Sequence, residues 1–300
     1  MVMFNKEPIS VITTAGKDIY SFSVEESKNI DYKTVESFGE EWKKFNSFSS
    51  EEIEKIGRDY FDILPSDMMG HDKLALDLGC GSGRWAYFIS KNMKFVECVD
   101  PSDAVFSASV LLKEVDNVRI SKADVDTIPF NDDSFDLVYS LGVLHHIPDT
   151  KAAMHNCIKK VRKGGYFLVY LYYNLDNRGK GYRLIFNISN SVRNVISKMR
   201  PGSKKIVCDI IAGVVYFPLS RFAGMIGKMG FNKFSKKIPL SYYADKSYWI
   251  LQNDALDRFG TPLEQRFSRK EIERMMLDCG LTNIRFSEKE PFWHAIGQKL

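Results

Sequence analysis

The chain has 300 residues, 44% of them hydrophobic, which suits one large domain or two small ones with a substantial core. Its five cysteines, at 80, 98, 157, 208 and 279, are odd in number and lack paired spacing, so they read as reduced thiols and exclude a disulfide scaffold or a zinc cluster. The net charge is only +4, and Met1 to Ser10 carries Lys6, Glu7 and Pro8 in place of a long apolar core, so no secretory leader is expected and the expected location is cytoplasmic.

Residues 1–30 are too weakly patterned to assign, although a short hairpin fits them. Val35 to Phe45 mixes acids and aromatics before the main fold, and Trp42 and Phe45 there either cap a ligand pocket or pack on the core. Residues 1–65 are accordingly read as an N-terminal cap segment. The buried run Leu76-Asp77-Leu78 then breaks into Gly79-Cys80-Gly81-Ser82-Gly83, a glycine turn that opens a helix. Glycines at such a turn let the backbone approach a ligand closely. The dinucleotide fingerprint would place a further glycine at position 84, which holds Arg84, so the glycines instead fall at 79, 81 and 83.

A second apolar strand, Lys94 to Val99, ends in Asp100, 19 residues past Gly81. An acid about 20 residues beyond the turn is placed to accept hydrogen bonds from the ribose diol of a bound nucleotide. Pro101 and Ser102 open the next helix. Lys122-Ala123-Asp124-Val125 and Ile128-Pro129-Phe130 follow, then a fourth strand, Phe135 to Ser140, running into Leu141 to Asp149. A fifth strand spans Gly164 to Leu171.

In this order and spacing the segments resemble the motifs of class I S-adenosylmethionine (SAM) dependent methyltransferases, over residues 74–172. The resemblance implies an α/β fold, a doubly wound, mostly parallel sheet of seven strands, with residues 66–175 as the SAM-binding core. It implies a donor site built from Asp77, Gly79, Cys80, Gly81, Ser82, Gly83, Asp100, Pro101, Ser102, Asp124, Val125 and Ser140, with Asp124 facing the exocyclic amine of adenine. The cofactor would be SAM and the product S-adenosylhomocysteine. The segment around Trp42 further resembles one found in some bacterial methyltransferases of small-molecule and surface-glycan pathways.

The chain departs from a minimal enzyme of this kind after the fifth strand. From Arg178 to Lys237 there are thirteen Lys or Arg and a single acid, Asp209, so this stretch carries +12 and the remainder about −8. Ile185, Ile188, Val192, Val195 and Met199 recur at helical steps, as do Ile206, Ile210, Val214, Phe217 or Pro218, Phe222, Met225 and Met229. Pro201-Gly202 should separate the two helices and Pro218 should bend the second. The apolar run Ile206 to Leu219 has 14 residues, short of the ~20 that a bilayer span needs, so no transmembrane helix is expected. Residues 176–245 thus read as a basic helical insertion. It is a lid packed on the body, an attractor for an anionic acceptor, or a surface for anionic lipid. Nucleic acid is not an expected partner, since the rest of the protein is acidic and no recognised module accompanies the basic stretch.

Beyond it, Tyr242, Tyr243 and the segment Asp254 to Gly260 either shape an acceptor pocket or pack ordinarily. Ser268 and Glu271 form a capping box for a helix ending near Gly280, and two antiparallel strands complete the sheet within residues 246–300. His145, just past the fourth strand, is the candidate base, with a pKa near neutrality suited to taking a proton from an oxygen acceptor, while His146 is the structural member of the pair. Tyr173 and Asn174 are further acceptor-side candidates. A related pattern holds a divalent metal with acids near this position, but Gly142 stands where one would be, so no metal is expected.

These residues lead to an expected methyl transfer to oxygen or nitrogen of a small or carrier-linked acceptor, a sugar or other anionic metabolite. A lipid or quinone methyltransferase at a membrane surface, and a SAM-binding protein without turnover, are the alternatives. The oligomeric state is not legible.

Overall fold

In the computed structural model, residues 1–22, 27–44, 49–176 and 179–300 are described, while the side chains of residues 40–44, 180, 182, 183, 185 and 201 fall outside the description. Phe45 is thus outside the described residues. The chain divides into two units, Met1–Asp176 with Leu263–Leu300, and Asn177–Pro262.

The first unit runs through β1 (Ser10–Ile12), β2 (Ile19–Ser21), α1 (Tyr32–Lys44), α2 (Ser50–Tyr60), β3 (Gly70–Leu78), α3 (Arg84–Ser90) and β4 (Met93–Val99). It continues with α4 (Ala104–Leu111), β5 (Val118–Lys122), β6 (Phe135–Leu141), α5 (Thr150–Lys160) and β7 (Val161–Tyr170). The second unit holds α6 (Lys180–Ile196), α7 (Pro201–Ile211), α8 (Phe217–Lys228), α9 (Asn232–Ser235) and α10 (Tyr248–Gly260). The chain then returns with α11 (Arg269–Asp278), β8 (Leu281–Phe286) and β9 (His294–Lys299).

The strands form one sheet in the order β1-β2-β5-β4-β3-β6-β7-β9-β8. The seven from β5 to β8 make the expected doubly wound arrangement, parallel except for β9, which lies antiparallel between β7 and β8. The sheet nevertheless has nine strands instead of seven, because the β1–β2 hairpin adds to the edge by pairing Ile19 with Ile120 of β5. Its strands have three residues each, too few for alternation to show in sequence, yet Ile19 is wholly buried.

Alternation along the central strands feeds two cores. Leu76 and Leu78 of β3 join Val138 and Phe167 beneath Met154 of α5 and Met276 of α11. Ala75, Leu137 and Leu168 point the other way, against Trp85 and Ile89 of α3 and Ala108 of α4. Strand order reverses about β3, which has β4 on one side and β6 on the other. A ligand crevice opens at such a switch point, beyond the carboxyl ends of the strands. The capping box of α11 forms as expected: the Glu271 amide donates to Ser268 Oγ at 3.2 Å and the Ser268 amide to Glu271 Oε2 at 2.7 Å.

The second unit has its own core, Ile196, Cys208, Ala212, Tyr216, Leu251, Ala255 and Phe259. The last three lie on α10, which is why this unit continues to Pro262 and does not end near residue 245. Pro201 starts α7 as its spacing suggests, but Pro218 does not interrupt the helix that contains it. That helix widens into a π turn over Ala212–Tyr216 just before the proline, which accommodates a residue lacking an N–H. The stretch Gly202–Lys228 is consequently 27 helical residues, long and apolar enough in composition to cross a bilayer, where the run of 14 had argued against one. Only 28% of its most apolar window is buried. The inner row is Cys208, Ala212, Tyr216, Ser220 and Ala223, whereas Ile206, Ile210, Val214, Phe222, Met225 and Met229 are exposed.

Candidate active site

The glycine turn follows directly from β3. Gly79, Gly81 and Gly83 all adopt positive φ, at 77°, 53° and 81°. At Gly79 the demand is also steric, since a Cβ there would stand 2.4 Å from Val143 Cγ2. The Gly79 amide donates to the Val99 carbonyl at 2.7 Å, fastening the turn to the end of β4. There the Asp100 carboxylate receives the Gly81 amide on Oδ2 at 2.9 Å and the Ser102 amide and hydroxyl on Oδ1 at 2.8 and 2.6 Å. Of its roughly four lone-pair sites three are therefore filled, and one remains on Oδ2. Burial raises the Asp100 carboxyl above its ordinary value despite these donors.

Asp77 is different. It is wholly buried, neither carboxylate oxygen makes a hydrogen bond of full geometry among the described residues, and burial pushes its pKa well above the carboxylate range, with the Tyr139 hydroxyl opposing the shift and Asp100 adding to it. Its register partner on β6 is Tyr139, whose buried hydroxyl acts on the Asp77 carboxylate without a hydrogen bond of full geometry. Tyr139 was not singled out from sequence. The signal was present in the pairing of β3 with β6, which sets an uncharged donor opposite the acid.

Asp124 accepts the Asp126 and Thr127 amides on Oδ1 at 2.8 and 2.9 Å, while Oδ2 is buried with no partner. Val125 and Cys80 are buried beside their neighbours in the turn and loop, and the buried Ser82 hydroxyl has no partner. Ser140 donates its hydroxyl to the Leu78 carbonyl at 2.8 Å, so that donor ties β6 to β3 and is not available to a ligand. Pro101 lies between Asp100 and Ser102 at the head of α4. The donor-side residues therefore converge on the ends of β3, β4 and β6 and the loop after β5.

On the acceptor side the expectations fare unevenly. His145 lies on the 3-10 turn Leu144–His146, fully buried, its ring stacked on Tyr172 at 3.9 Å between centroids, and neither ring nitrogen has a hydrogen-bond partner among the described residues. Burial, with His146 and Arg266 adding to it, holds its pKa well below 6.5, contrary to the near-neutral value expected of a base at an open rim. His146, read as the structural member of the pair, donates Nδ1–H to the Leu263 carbonyl at 2.7 Å. The Arg266 guanidinium lies over Tyr172, 5.2 Å from the ring centre; Tyr172 and Arg266 escaped notice because their roles depend on chain returning from the far side of the insertion.

Tyr173 packs against Phe292 and Trp293, and Asn174 is exposed with its amide donating to the Phe267 carbonyl. Tyr242 and Tyr243 belong to the second unit, where Tyr242 is exposed and Tyr243 donates its hydroxyl to Asp254. Trp42 lies within α1, its side chain outside the description.

Residues 76–169 match the family model described as a methyltransferase domain. The chain is 26% identical over 134 residues to the uncharacterized methyltransferase YcgJ of Bacillus subtilis, covering 44% of this chain and 53% of that protein. It is 23% identical over 236 residues to the ubiquinone biosynthesis O-methyltransferase of Hydrogenovibrio crunogenus, covering 74% of this chain and 93% of the relative. With the Bacillus protein, then, the match spans about half the relative's length. Among solved structures, the methyltransferase in complex with the Trm112 activator of Haloferax volcanii superposes with a TM-score of 0.50 at 13% identity, over 88% of this chain and 97% of that one. The glycine turn, the acid ending β4 and the sheet order agree with the family match, and residues 76–169 form a methyltransferase domain of the class I S-adenosylmethionine-dependent kind.

Proposed function

We propose that this protein transfers a methyl group from SAM to an oxygen or nitrogen of a small or carrier-linked acceptor, a sugar or other anionic metabolite foremost, in the cytoplasm or at the cytoplasmic face of a membrane. The observation that carries the donor half is Asp77, a buried carboxyl with no charged partner and only the Tyr139 hydroxyl near it, beside a turn whose backbone excludes side chains. A ligand bearing positive charge would satisfy it, and SAM bears two such centres. When bound, SAM supplies a methyl carbon activated by its sulfonium, which an acceptor lone pair displaces to leave S-adenosylhomocysteine.

The residues hold and orient. Asp100 has one open lone pair for a ribose hydroxyl, and rotation of Ser102 would open a second. Asp124 Oδ2 is an acceptor without a donor, suited to an exocyclic amine. Alignment of donor and acceptor is itself a large contribution, with effective molarities of ~10⁵ M or more for well-oriented groups. His145 is neutral near pH 7, the form a base must have, but its lowered pKa makes it a weak one. This suits a neutral amine, which sheds its proton after transfer, better than a hydroxyl.

A membrane lipid or quinone is the second acceptor class. It is supported by the exposed apolar rows of the second unit and by the relative named for ubiquinone biosynthesis. The test is calorimetric titration with SAM, S-adenosylhomocysteine and NAD, followed by acceptor screening with labelled SAM. Micromolar binding of the first two alone is the expected result, and binding of none, or of NAD, would end this reading.

A further inference from the structure

The second unit turns its most apolar residues outward. On α6, Leu184, Ile188, Val192 and Val195 recur along one face and all are exposed. Along α7 and α8 the exposed row runs from Ile206 to Met229. Beyond it Phe231 and Phe234 are 61% and 60% exposed, interleaved with exposed Lys228, Lys233, Lys236 and Lys237. From Ile210 to Ala244 there is no Asp or Glu. Soluble monomers rarely leave contiguous apolar surface of this kind uncovered.

We propose that this face, the outer row of α7–α8 with the Lys/Phe end around α9, docks on an anionic lipid bilayer and lies in its headgroup region. The chemistry is that of an interfacial helix: aromatic and aliphatic side chains enter the headgroup–acyl boundary while lysines meet lipid phosphates. A second copy of this chain suits the face poorly, because from Ile210 to Ala244 it offers no Asp or Glu to meet the lysines of its twin in either orientation. Spanning is opposed by what lines the inner side of the helix. Asp209 is bonded to Lys205 and Gln252, and the half-buried Arg221 donates to the Ala244 and Lys246 carbonyls. The Asp254 carboxylate on α10 receives the Tyr243 hydroxyl. A transmembrane placement would carry this charged inner side into hydrocarbon, whereas a surface placement leaves it in water.

The experiment is co-sedimentation of the full chain with vesicles of phosphatidylcholine alone and of phosphatidylcholine with phosphatidylglycerol, at low and raised salt. Expected are binding to the anionic vesicles, weakening with salt, and a loss of partitioning of about tenfold or more when Lys228, Lys233, Lys236 and Lys237 are replaced by Glu. Phe231→Ser with Phe234→Ser should weaken binding at every salt concentration. No binding, equal binding to both compositions, or release only by detergent would overturn the proposal. So would a dimer in lipid-free light scattering that the Phe→Ser pair dissociates. SAM titration of the same variants, expected unchanged, shows that they are folded and separates failure here from failure of the methyl-transfer reading.

Discussion

Asp77 on β3 and Tyr139 on β6 are register partners at the centre of the sheet, both wholly buried, and the Tyr139 hydroxyl is the side-chain donor nearest the Asp77 carboxylate, although neither oxygen set closes a hydrogen bond of full geometry among the described residues. Unsatisfied buried polar groups cost stability, and the proposed SAM site would account for their retention beside the glycine turn, since a bound cation would complete them.

A proton balance follows from the raised pKa of Asp77. Because the folded value lies above 3.8, the native protein keeps a proton that the unfolded chain has lost. Ligand-free stability contributed by this group therefore falls as pH rises from about 3.8 through the raised value. A cationic ligand favours the ionised form, so SAM binding should release protons in that window, measurable as a dependence of binding heat on buffer ionisation enthalpy. Asp77→Asn should abolish the release, raise the ligand-free Tm at neutral pH, and weaken SAM binding by roughly 1.5–3 kcal/mol. Unaltered affinity and proton release in that variant would remove Asp77 from the donor site.

Asp100→Ala tests the ribose assignment. Losing the carboxylate should weaken SAM by roughly 1–3 kcal/mol, the scale of hydrogen bonds to a charged group. Ser102→Ala, which frees one Oδ1 lone pair while keeping the acid, should have a much smaller effect on calorimetric affinity. If the two variants bind alike, Asp100 acts by shaping the turn and not by meeting the ribose.

Gly79→Ala places a Cβ against Val143 at a φ of 77°, and the two penalties can be separated. The left-handed conformation costs about 1–2 kcal/mol and overpacking about 1–3 more. Denaturant unfolding should show the sum in Gly79→Ala and only the first part when Val143→Gly is added, since alanine at 143 would still leave its Cβ 2.9 Å from the new one. Full recovery in the double variant would mean that conformation is not what selects glycine here.

The central strands, the turn and Asp100 were legible because local sequence dictates them: apolar runs of strand length, glycines at a tight bend, an acid at a fixed distance. Ser268 and Glu271 were legible for the same reason, being a motif four residues long. What escaped depended on distant chain. The two three-residue strands of β1 and β2 form only because β5 offers an edge, and Tyr172 meets Arg266 only after the chain returns from the second unit. The helical periodicity of 206–229 was correct, but it marked the outer face, because the inner row is built of small and polar residues, Cys208, Ala212 and Ser220, that a hydrophobic pattern passes over.

His145 supplies a pH test with a definite sign. Its folded pKa lies well below 6.5, so under mild acid the unfolded chain takes up a proton that the native state refuses. The stability this group contributes is complete above pH 6.5 and is lost as pH falls below it toward the folded value. His145→Phe keeps a ring to stack on Tyr172 and should flatten the acid limb of a Tm-against-pH profile. The same variant decides the chemistry. If His145 takes a proton from an oxygen acceptor, kcat should drop by about 10²–10⁴ while SAM affinity holds. If kcat stays within about tenfold, the imidazole serves packing alone, and the acceptor either sheds its proton to water or is a neutral amine that needs no base before transfer.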